Sequence, residues 1–169
     1  MLSAAELAES PLSRELYFYY GVAAHSAQSL EKELCLLLYF PQLSRVKQLD
    51  ETNVEKAYEE LDKKELGKLL KILRGHFTVD QKFDSKLDEA RKKRNFLIHH
   101  FFADNAQRLS DPSSLPVLTQ ELKSIAILLQ EVLHTIRPFN QKLREEAESA
   151  KAINERHSRP CVELNGEGA

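Results

Sequence analysis

Three side chains capable of chemistry stand close together in the second half of the chain: Arg94, Asn95 and His99. A helix turns by about 100° per residue, so Asn95 and His99, four residues apart, are neighbours on one edge. The longer side chain of Arg94 can lean towards both of them. The spacing therefore predicts a guanidinium, an amide and an imidazole along one rim of a helix.

Cleavage of RNA without a metal requires side chains of these types. The ribose 2′-hydroxyl must lose a proton before its oxygen attacks the neighbouring phosphorus. An imidazole changes charge near neutral pH and can accept or return that proton. A guanidinium can stabilise the extra charge of the phosphorane through two parallel hydrogen bonds. We therefore expect His99 to transfer the proton, Arg94 to stabilise the phosphorane and Asn95 to position one or the other.

A compact basic segment leads up to the arginine. Arg91, Lys92, Lys93 and Arg94 follow one another in a chain whose formal net charge is −2. Domains that coat nucleic acid without selectivity are usually strongly basic, so any contact of this chain with RNA must be local. We expect Arg91 and Lys92 to hold the RNA backbone beside the site, and binding to weaken as salt is added.

Each of these residues also has a structural interpretation. A basic run usually forms a solvated helix face, and a histidine late in a helix is a favourable partner for the helix dipole. Arg94 occupies a position where the apolar periodicity of its helix requires a nonpolar side chain. Since an unpaired guanidinium is almost never buried, Arg94 must meet a carboxylate, line a wet cleft or lie at an interface. Its polar neighbours favour the cleft or the interface.

Long amphipathic helices at the two ends of the chain must support this site. Ser10 followed by Pro11 is typical of a helix start, and we predict a helix that Pro41 ends after residue 40. The last helix is predicted over residues 115–152, where Pro138 should kink or split it. Their apolar seams repeat every three or four residues: Leu16, Tyr20, Ala23, Ala27, Leu30, Leu34 and Leu37, then Leu118, Leu122, Ile125, Leu129, Val132, Ile136, Phe139 and Leu143.

Two further helical regions lie between them. Residues 41–53 are predicted to be a connection, and residues 54–77 a helical region that breaks near Leu61, where Asp62 could cap a fresh helix. The motif lies late in a helix over residues 80–103, followed by a loop over residues 104–116. The apolar positions of these two regions are Leu66, Leu69, Leu70, Leu73 and Phe77, and Phe83, Leu87, Ala90, Leu97 and Phe101 around Arg94.

Four helical regions with short connections predict an all-α fold, a four-helix bundle with long first and last helices. Residues 1–155 are expected to form one domain, and residues 156–169, which are polar and contain glycine, a disordered tail. The seams of the first and last helices are long enough to bury part of their surface against a second copy. We therefore expect a homodimer.

Length and composition point to an ordinary globular domain in a reducing, cytoplasmic compartment. The chain has 169 residues, enough to bury a core without disulfides. Its two cysteines, Cys35 and Cys161, are far apart, and Cys35 lies in an apolar helical run where a free thiol acts as a core residue. No secretory leader is expected at the acidic N-terminus, and no apolar stretch is long enough for a membrane span.

The segment Arg94-Asn95-Phe96-Leu97-Ile98-His99 resembles the R-N-x-x-x-H signature of HEPN domains (higher eukaryotes and prokaryotes nucleotide-binding). The setting is similar too, because the motif lies late in the third long helical region of a small α-bundle and aromatic residues follow it. The resemblance extends over residues 11–150 in architecture, whereas the motif itself covers only these six residues.

This resemblance implies a metal-independent endoribonuclease with Arg94 and His99 catalytic and Asn95 supporting. Active HEPN domains commonly dimerise so that two motifs face one cleft, and many are toxins or antiviral-defence effectors controlled by an antitoxin. Some of these toxins carry a tyrosine two residues after the motif histidine that the antitoxin modifies. Here that residue is Phe101, which has no hydroxyl, so control by this modification is not expected.

Other functional classes have less support in the sequence. A catalytically inactive HEPN-like bundle that serves in dimerisation, sensing or as an adaptor would have a similar pattern, and such a protein should tolerate leucine at position 94 with a gain in stability. The histidines form no pair with metal-ligand spacing, so neither a metal nor a cofactor is expected. No glycine-rich phosphate loop is present, which excludes the common nucleoside triphosphatases and dehydrogenases.

Overall fold

The computed structural model describes residues 10–43 and 51–157, and this part of the chain contains helices and no strand. The all-α prediction is therefore confirmed. No helix within these residues is both long and apolar enough to cross a membrane. The elements in chain order are α1 (Pro11–Leu43), α2 (Glu51–Asp62), α3 (Leu66–His76), α4 (Gln81–Asn95), a π-helical turn (Phe96–His100), α5 (Phe101–Asp104), α6 (Ala106–Leu109) and α7 (Leu115–His157).

The helix starts follow the capping residues in the sequence. The backbone N–H of Ser13 donates to Ser10 Oγ at 3.1 Å, which confirms Ser10 as the cap of α1. At the start of α4, Asp80 Oδ1 accepts hydrogen bonds from the backbone N–H groups of Lys82 and Phe83 at 2.9 and 3.2 Å. These caps satisfy donors that the first turn of a helix leaves free, so both helices begin where the sequence predicts.

Several predicted boundaries are wrong. Helix α1 does not end at Pro41 but continues to Leu43, because proline has a helical φ and removes only its own N–H donor. Helix α2 begins at Glu51 rather than residue 54, α6 lies inside the predicted loop 104–116, and α7 extends to His157 rather than residue 152. Of the two effects predicted for Pro138, a kink or a split, the split does not occur. Part of the predicted connection (44–50) and most of the predicted disordered tail (158–169) lie outside the described residues.

The predicted break in the second helical region is confirmed, but Asp62 does not cap the helix that follows. The break falls between Asp62 and Leu66, and the N-cap of α3 is Glu65, whose side chain makes no capping hydrogen bond. Asp62 instead forms an ion pair with Lys32 of α1. The carboxylate therefore fastens the end of α2 to α1, which leaves it unavailable to α3.

Helices α1 and α7 pack side by side and run parallel. Glu15 Oε1 lies 2.9 Å from Lys123 Nζ near the start of both helices, and Glu33 Oε1 lies 3.3 Å from Arg137 Nε further along both. In a simple up-and-down bundle of four helices the first and last would be antiparallel. The short hairpin of α2 and α3 adds one reversal of direction, which makes them parallel here.

Helix α4 crosses from α3 to α1 and runs antiparallel to both. Arg74 near the end of α3 binds Asp84 and Asp88, with its Nε 2.7 Å from Asp84 Oδ1 and its Nη2 3.1 Å from Asp88 Oδ1. The hydrogen bond from Arg74 lowers the pKa of Asp88. These ion pairs hold the first half of α4 against α3, while α4 packs along α7 and the π-helical turn that follows it packs against α1.

Most of the predicted seam positions are buried in the core, whereas Tyr20, Phe77, Phe83 and Leu143 are only partly buried. Cys35 is buried in this core as predicted, and this burial raises the pKa of its thiol to about 11. Leu97 and Phe101, on either side of His99, are 1% and 0% exposed, so the motif is anchored in the core at both ends. The buried seam residues are Leu16, Ala23, Ala27, Leu30, Leu34, Leu37, Leu66, Leu69, Leu70, Leu73, Leu87, Ala90, Leu97, Phe101, Leu118, Leu122, Ile125, Leu129, Val132 and Ile136.

The seam of α7 changes after Pro138. Phe139 was predicted to be a core residue, but its side chain is 60% exposed and Asn140 is buried in its place. Asn140 Nδ2 donates to the backbone oxygen of Glu33 at 2.9 Å and to Glu33 Oε2 at 2.7 Å. Burying an amide costs free energy unless it is hydrogen-bonded; Glu33 of α1 supplies both acceptors for Nδ2, whereas the buried Oδ1 has no hydrogen-bond partner among the described residues.

We expect Asn140→Ala to lower the free energy of unfolding more than Phe139→Ala. The first change removes two buried hydrogen bonds, one to a carboxylate, which costs roughly 1–3 kcal/mol. The second removes a largely exposed ring and should change stability by less than about 0.5 kcal/mol. Urea unfolding followed by circular dichroism measures both. A larger loss for Phe139→Ala would show that this account of the α7 seam is wrong.

Candidate functional site

The motif helix changes its winding at the motif itself. The regular α-helix ends at Asn95, and Phe96–His100 form a π-helical turn in which the backbone N–H of Phe101 donates to the oxygen of Phe96, five residues earlier. An uninterrupted α-helix was predicted here. Because π-helical bonding joins residues i and i+5, it places position 99 close beneath position 94. This turn brings His99 beside Arg94.

Arg94 contacts both other motif residues. Its Nη1 donates to Asn95 Oδ1 at 3.2 Å and lies 3.4 Å from His99 Nε2. A guanidinium has donors and no acceptor, so a hydrogen bond between these two atoms requires an Nε2 that carries no proton. The side chain of His99 is exposed, whereas that of Arg94 is only 19% exposed. An exposed imidazole therefore lies beside a fixed cation.

Glu31 of α1 completes the group, and sequence reasoning missed it. Glu31 Oε1 lies 2.7 Å from Arg94 Nη2, and its side chain is 25% exposed. The contact is an ion pair by distance only, since buried Oε1 accepts no hydrogen bond of good geometry. A carboxylate is therefore the partner of Arg94, rather than the wet cleft or the interface that the sequence favoured. The available signal was the position of Glu31 beside the seam residues Leu30 and Leu34.

The two predicted RNA-binding residues do not join this group. Arg91 packs towards α3, where its Cδ would lie 3.6 Å from a Cβ added at Gly67, and its Nε lies 3.7 Å from Asp88 Oδ1 of its own helix. Lys92 lines a groove of about 770 Å³ between α4 and α7, together with Lys93 and Phe96. The basic segment is thus distributed around α4, and only its last residue, Arg94, reaches the motif histidine.

The residues that follow the motif histidine have separate surroundings. The ring of His100 is exposed and its centroid lies 6.3 Å from that of His99. Phe101 is fully buried, so the residue two positions after the motif histidine is a core residue. Asn105 Nδ2 donates to the backbone oxygen of Phe101 at 2.9 Å, which fixes the end of α5. The motif is therefore held rigidly on its C-terminal side.

The acid–base and metal-ligand side chains elsewhere in residues 10–43 and 51–157 form no comparable constellation. No group of three or more histidine, cysteine, aspartate or glutamate side chains in these ranges could hold a metal ion. The groove lined by His25, Lys86, His134 and Arg137 contains two cations that are already paired, Lys86 with Glu131 and Arg137 with Glu33. The group formed by Glu31, Arg94, Asn95 and His99 is the stronger candidate for chemistry.

Comparison with known proteins identifies no relative from which residue roles could be transferred. No family model matches the chain, and no match is found among curated proteins or among solved structures. The assignment of chemistry to this site therefore depends on the geometry of its own residues.

Proposed function

We propose that the chain is a metal-independent endoribonuclease of the HEPN type, with Arg94, Asn95 and His99 as its active-site residues. The observation that carries the proposal is the contact of Arg94 Nη1 with both Asn95 Oδ1 and His99 Nε2 at the π-helical turn. The geometry supports this proposal, because the proton acceptor and the cation are close enough for a single phosphate group to contact both.

The reaction is an attack of the ribose 2′-oxygen on the adjacent phosphorus. His99 takes the 2′-hydroxyl proton, the new P–O2′ bond forms, and the P–O5′ bond breaks as the His99 imidazolium returns the proton to the 5′-oxygen. The products are a 2′,3′-cyclic phosphate and a 5′-hydroxyl, so the step uses no water molecule and requires no metal ion. Arg94 stabilises the phosphorane, and Asn95 positions the guanidinium through its Oδ1.

Glu31 has a defined part in this mechanism as a positioning residue. Its carboxylate holds Arg94 Nη2, which directs Nη1 towards Asn95 and His99. A guanidinium fixed before the substrate arrives loses no conformational freedom when the charged phosphorane forms. After His99 takes its proton, two cations lie side by side, and the negative charge of the phosphate bound against them offsets their repulsion.

The wider biological setting belongs to the same proposal. A homodimer in which two motifs face one cleft, an RNA substrate, and a role as a toxin or defence effector controlled by an antitoxin are what HEPN resemblance implies. Arg91 and Lys92 then hold RNA outside the catalytic group, on the two sides of α4 where they lie. A reducing, cytoplasmic compartment fits the buried free thiol of Cys35.

The test is cleavage of a defined single-stranded RNA by the purified protein in excess EDTA. We expect fragments that carry 2′,3′-cyclic phosphate and 5′-hydroxyl ends. The same sequence with 2′-O-methyl groups should remain intact, because no proton is available for His99 to remove. Fragments with 3′-hydroxyl ends, or cleavage of the methylated strand, would contradict the mechanism.

One observation favours a second candidate, a non-catalytic HEPN-like module for dimerisation, sensing or adaptor function. The ion pair between Arg94 and Glu31 gives the arginine a structural role that requires no substrate. In that case Arg94 and Glu31 would matter for folding alone. A folded wild-type protein without ribonuclease activity would favour this candidate.

A further inference from the structure

Exposed aromatic side chains flank the proposed active site. Tyr17, Phe18 and Phe102 have 52%, 63% and 39% of their surface exposed. The rings of Tyr17 and Phe102 are stacked, with centroids 6.2 Å apart and planes 29° from parallel, and Phe102 also contacts Tyr20 at 4.7 Å. The stacked rings therefore form an aromatic surface that stays exposed in the fold of residues 10–43 and 51–157.

This stack and the active site lie on the same side of α1. Tyr17 and Glu31 are fourteen residues apart, which places them about 40° apart around the helix and about 21 Å apart along it. Both contact the motif helix, Tyr17 through Phe102 and Glu31 through Arg94. Because α4 and α5 run antiparallel to α1, the seam between them leads from the aromatic stack to the Arg94 group.

The surface of α1 between these two points is open. Gly21 and Ala24 lie between Tyr17 and Glu31 on the same face, and a Cβ added at Gly21 would meet no atom within 4 Å. These residues follow Tyr20, whose hydroxyl donates to the backbone oxygen of Leu97 at 3.4 Å, so they lie beside the start of the π-helical turn. Phe102 follows His99 by three residues, a rise of about 4.5 Å along the helix. A chain lying in this seam would pass from the stack directly to the imidazole.

A cation lies at the outer end of the stack. Arg14 precedes Tyr17 by three residues and Phe18 by four, so all three share one face of α1. Its side chain is exposed, and it forms no ion pair within the described part of the chain. An exposed guanidinium beside exposed rings matches a ligand that alternates phosphates with flat bases.

We infer that Tyr17 and Phe102 stack an unpaired base of single-stranded RNA whose backbone continues along the seam to His99. This inference rests on the proposed ribonuclease function and specifies its substrate as single-stranded. Bases inside a duplex have no free face for an aromatic ring, whereas unpaired bases stack readily on tyrosine and phenylalanine. Arg14 binds a phosphate on the far side of the stacked base.

The exposed area argues for RNA in preference to a second copy of this chain. Three partly exposed aromatic side chains offer on the order of 300 Å². A stable protein interface buries about 800 Å² on each partner. One or two stacked bases need much less surface, so the stack is large enough for RNA and too small to hold a dimer by itself.

The test is the affinity of the purified protein for a short fluorescein-labelled 2′-O-methyl oligouridine, which cannot be cleaved, measured by anisotropy. We expect Tyr17→Ala and Phe102→Ala to weaken binding between about fivefold and about 150-fold each, the range for loss of one base–aromatic contact. Tyr17→Phe should bind as wild type because it retains the ring. A duplex of the same length should bind more weakly than the single strand.

Phe139→Ala is the matched control, because Phe139 is 60% exposed and lies far along α7. It should leave the affinity unchanged. Three results would overturn the inference: equal losses of affinity in the Phe139→Ala and Tyr17→Ala variants, wild-type affinity in both Tyr17→Ala and Phe102→Ala, or no binding by the wild-type protein. A Tyr17→Ala protein that changes its sedimentation mass but not its RNA affinity would also overturn it and assign the surface to contact between copies.

A second pair of variants tests the open seam independently of the rings. Gly21→Glu places a carboxylate where a Cβ meets nothing, and Gly75→Glu does so on α3, away from the seam. We expect the first to weaken binding at least tenfold and the second to leave it unchanged, with equal helix content. Equal affinities for these two variants would contradict the proposed path. Cleavage in EDTA is measured separately, so loss of this inference leaves the ribonuclease proposal testable on its own.

Discussion

His99→Ala is expected to lower the rate of RNA cleavage by about 10²- to 10⁴-fold, the usual contribution of a general acid–base group. The reason is that Nε2 is the one exposed proton acceptor in contact with Arg94 Nη1, at 3.4 Å, among the described residues. The substitution removes an exposed ring, so the protein should stay folded. Initial rates on a single-stranded RNA in excess EDTA provide the measurement.

The chain contains a matched control in His100. Its ring is also exposed, lies 6.3 Å from that of His99, and makes no contact with Arg94. His100→Ala should therefore retain the wild-type rate, with the same helix content by circular dichroism. Equal losses in the two variants would show that the rate depends on the general charge of this turn and would remove His99 from its assigned role.

Arg94→Leu is expected to lower the free energy of unfolding by about 1–3 kcal/mol, a value between those for exposed and fully buried ion pairs. The seam alone predicts the opposite sign, because leucine completes an apolar row. Glu31 reverses this expectation, since its buried Oε1 has no other partner and would be left as an uncompensated charge. Chemical unfolding followed by circular dichroism measures the change.

The double variant Glu31→Leu with Arg94→Leu isolates the pair. Removing both charges should restore most of the stability lost in Arg94→Leu, because apolar residues can replace a buried ion pair at little cost. Lys32→Met is the neighbouring control: Lys32 pairs with Asp62 on an exposed surface and should matter much less. A double variant that is no more stable than Arg94→Leu would show that Glu31 and Arg94 are not energetically coupled.

The local sequence carries enough information for the helices and their caps. Ser10 and Asp80 have side chains that bind the free N–H groups of a first turn, and these bonds form between neighbours in the chain. The apolar spacing likewise identifies most of the core, including Leu97 and Phe101 on either side of the motif. Signals of this kind depend on residues within one or two turns, which is why they can be found without a structure.

The features that decide the site's geometry are not local. The π-helical turn at Phe96–His100 has the same residue types as an α-helix, and its contacts with α1, such as the ring of Phe101 against Tyr20, join residues far apart in the sequence. Glu31 meets Arg94 across 63 positions of sequence, and no spacing rule in one helix identifies a carboxylate in another. The sequence therefore identifies which residues could react, while their contacts require the packed fold.

The predicted core position after Pro138 in α7 was wrong for a similar reason. Hydrophobicity favours Phe139 as the core residue, yet Asn140 is buried because Glu33 of α1 offers it two acceptors. A polar residue in the core can be anticipated only when its partner is known. The same limit applied to Arg94, whose partner lies on α1 as well.

We propose that His99 transfers the proton in a metal-independent cleavage of RNA, and one experiment compares wild-type protein with His99→Ala on a single-stranded RNA in excess EDTA. We expect rapid cleavage by the wild type, with 2′,3′-cyclic phosphate ends, and almost none by the variant. If folded wild-type protein leaves the RNA intact, or if both proteins cleave it equally, His99 does not have this role.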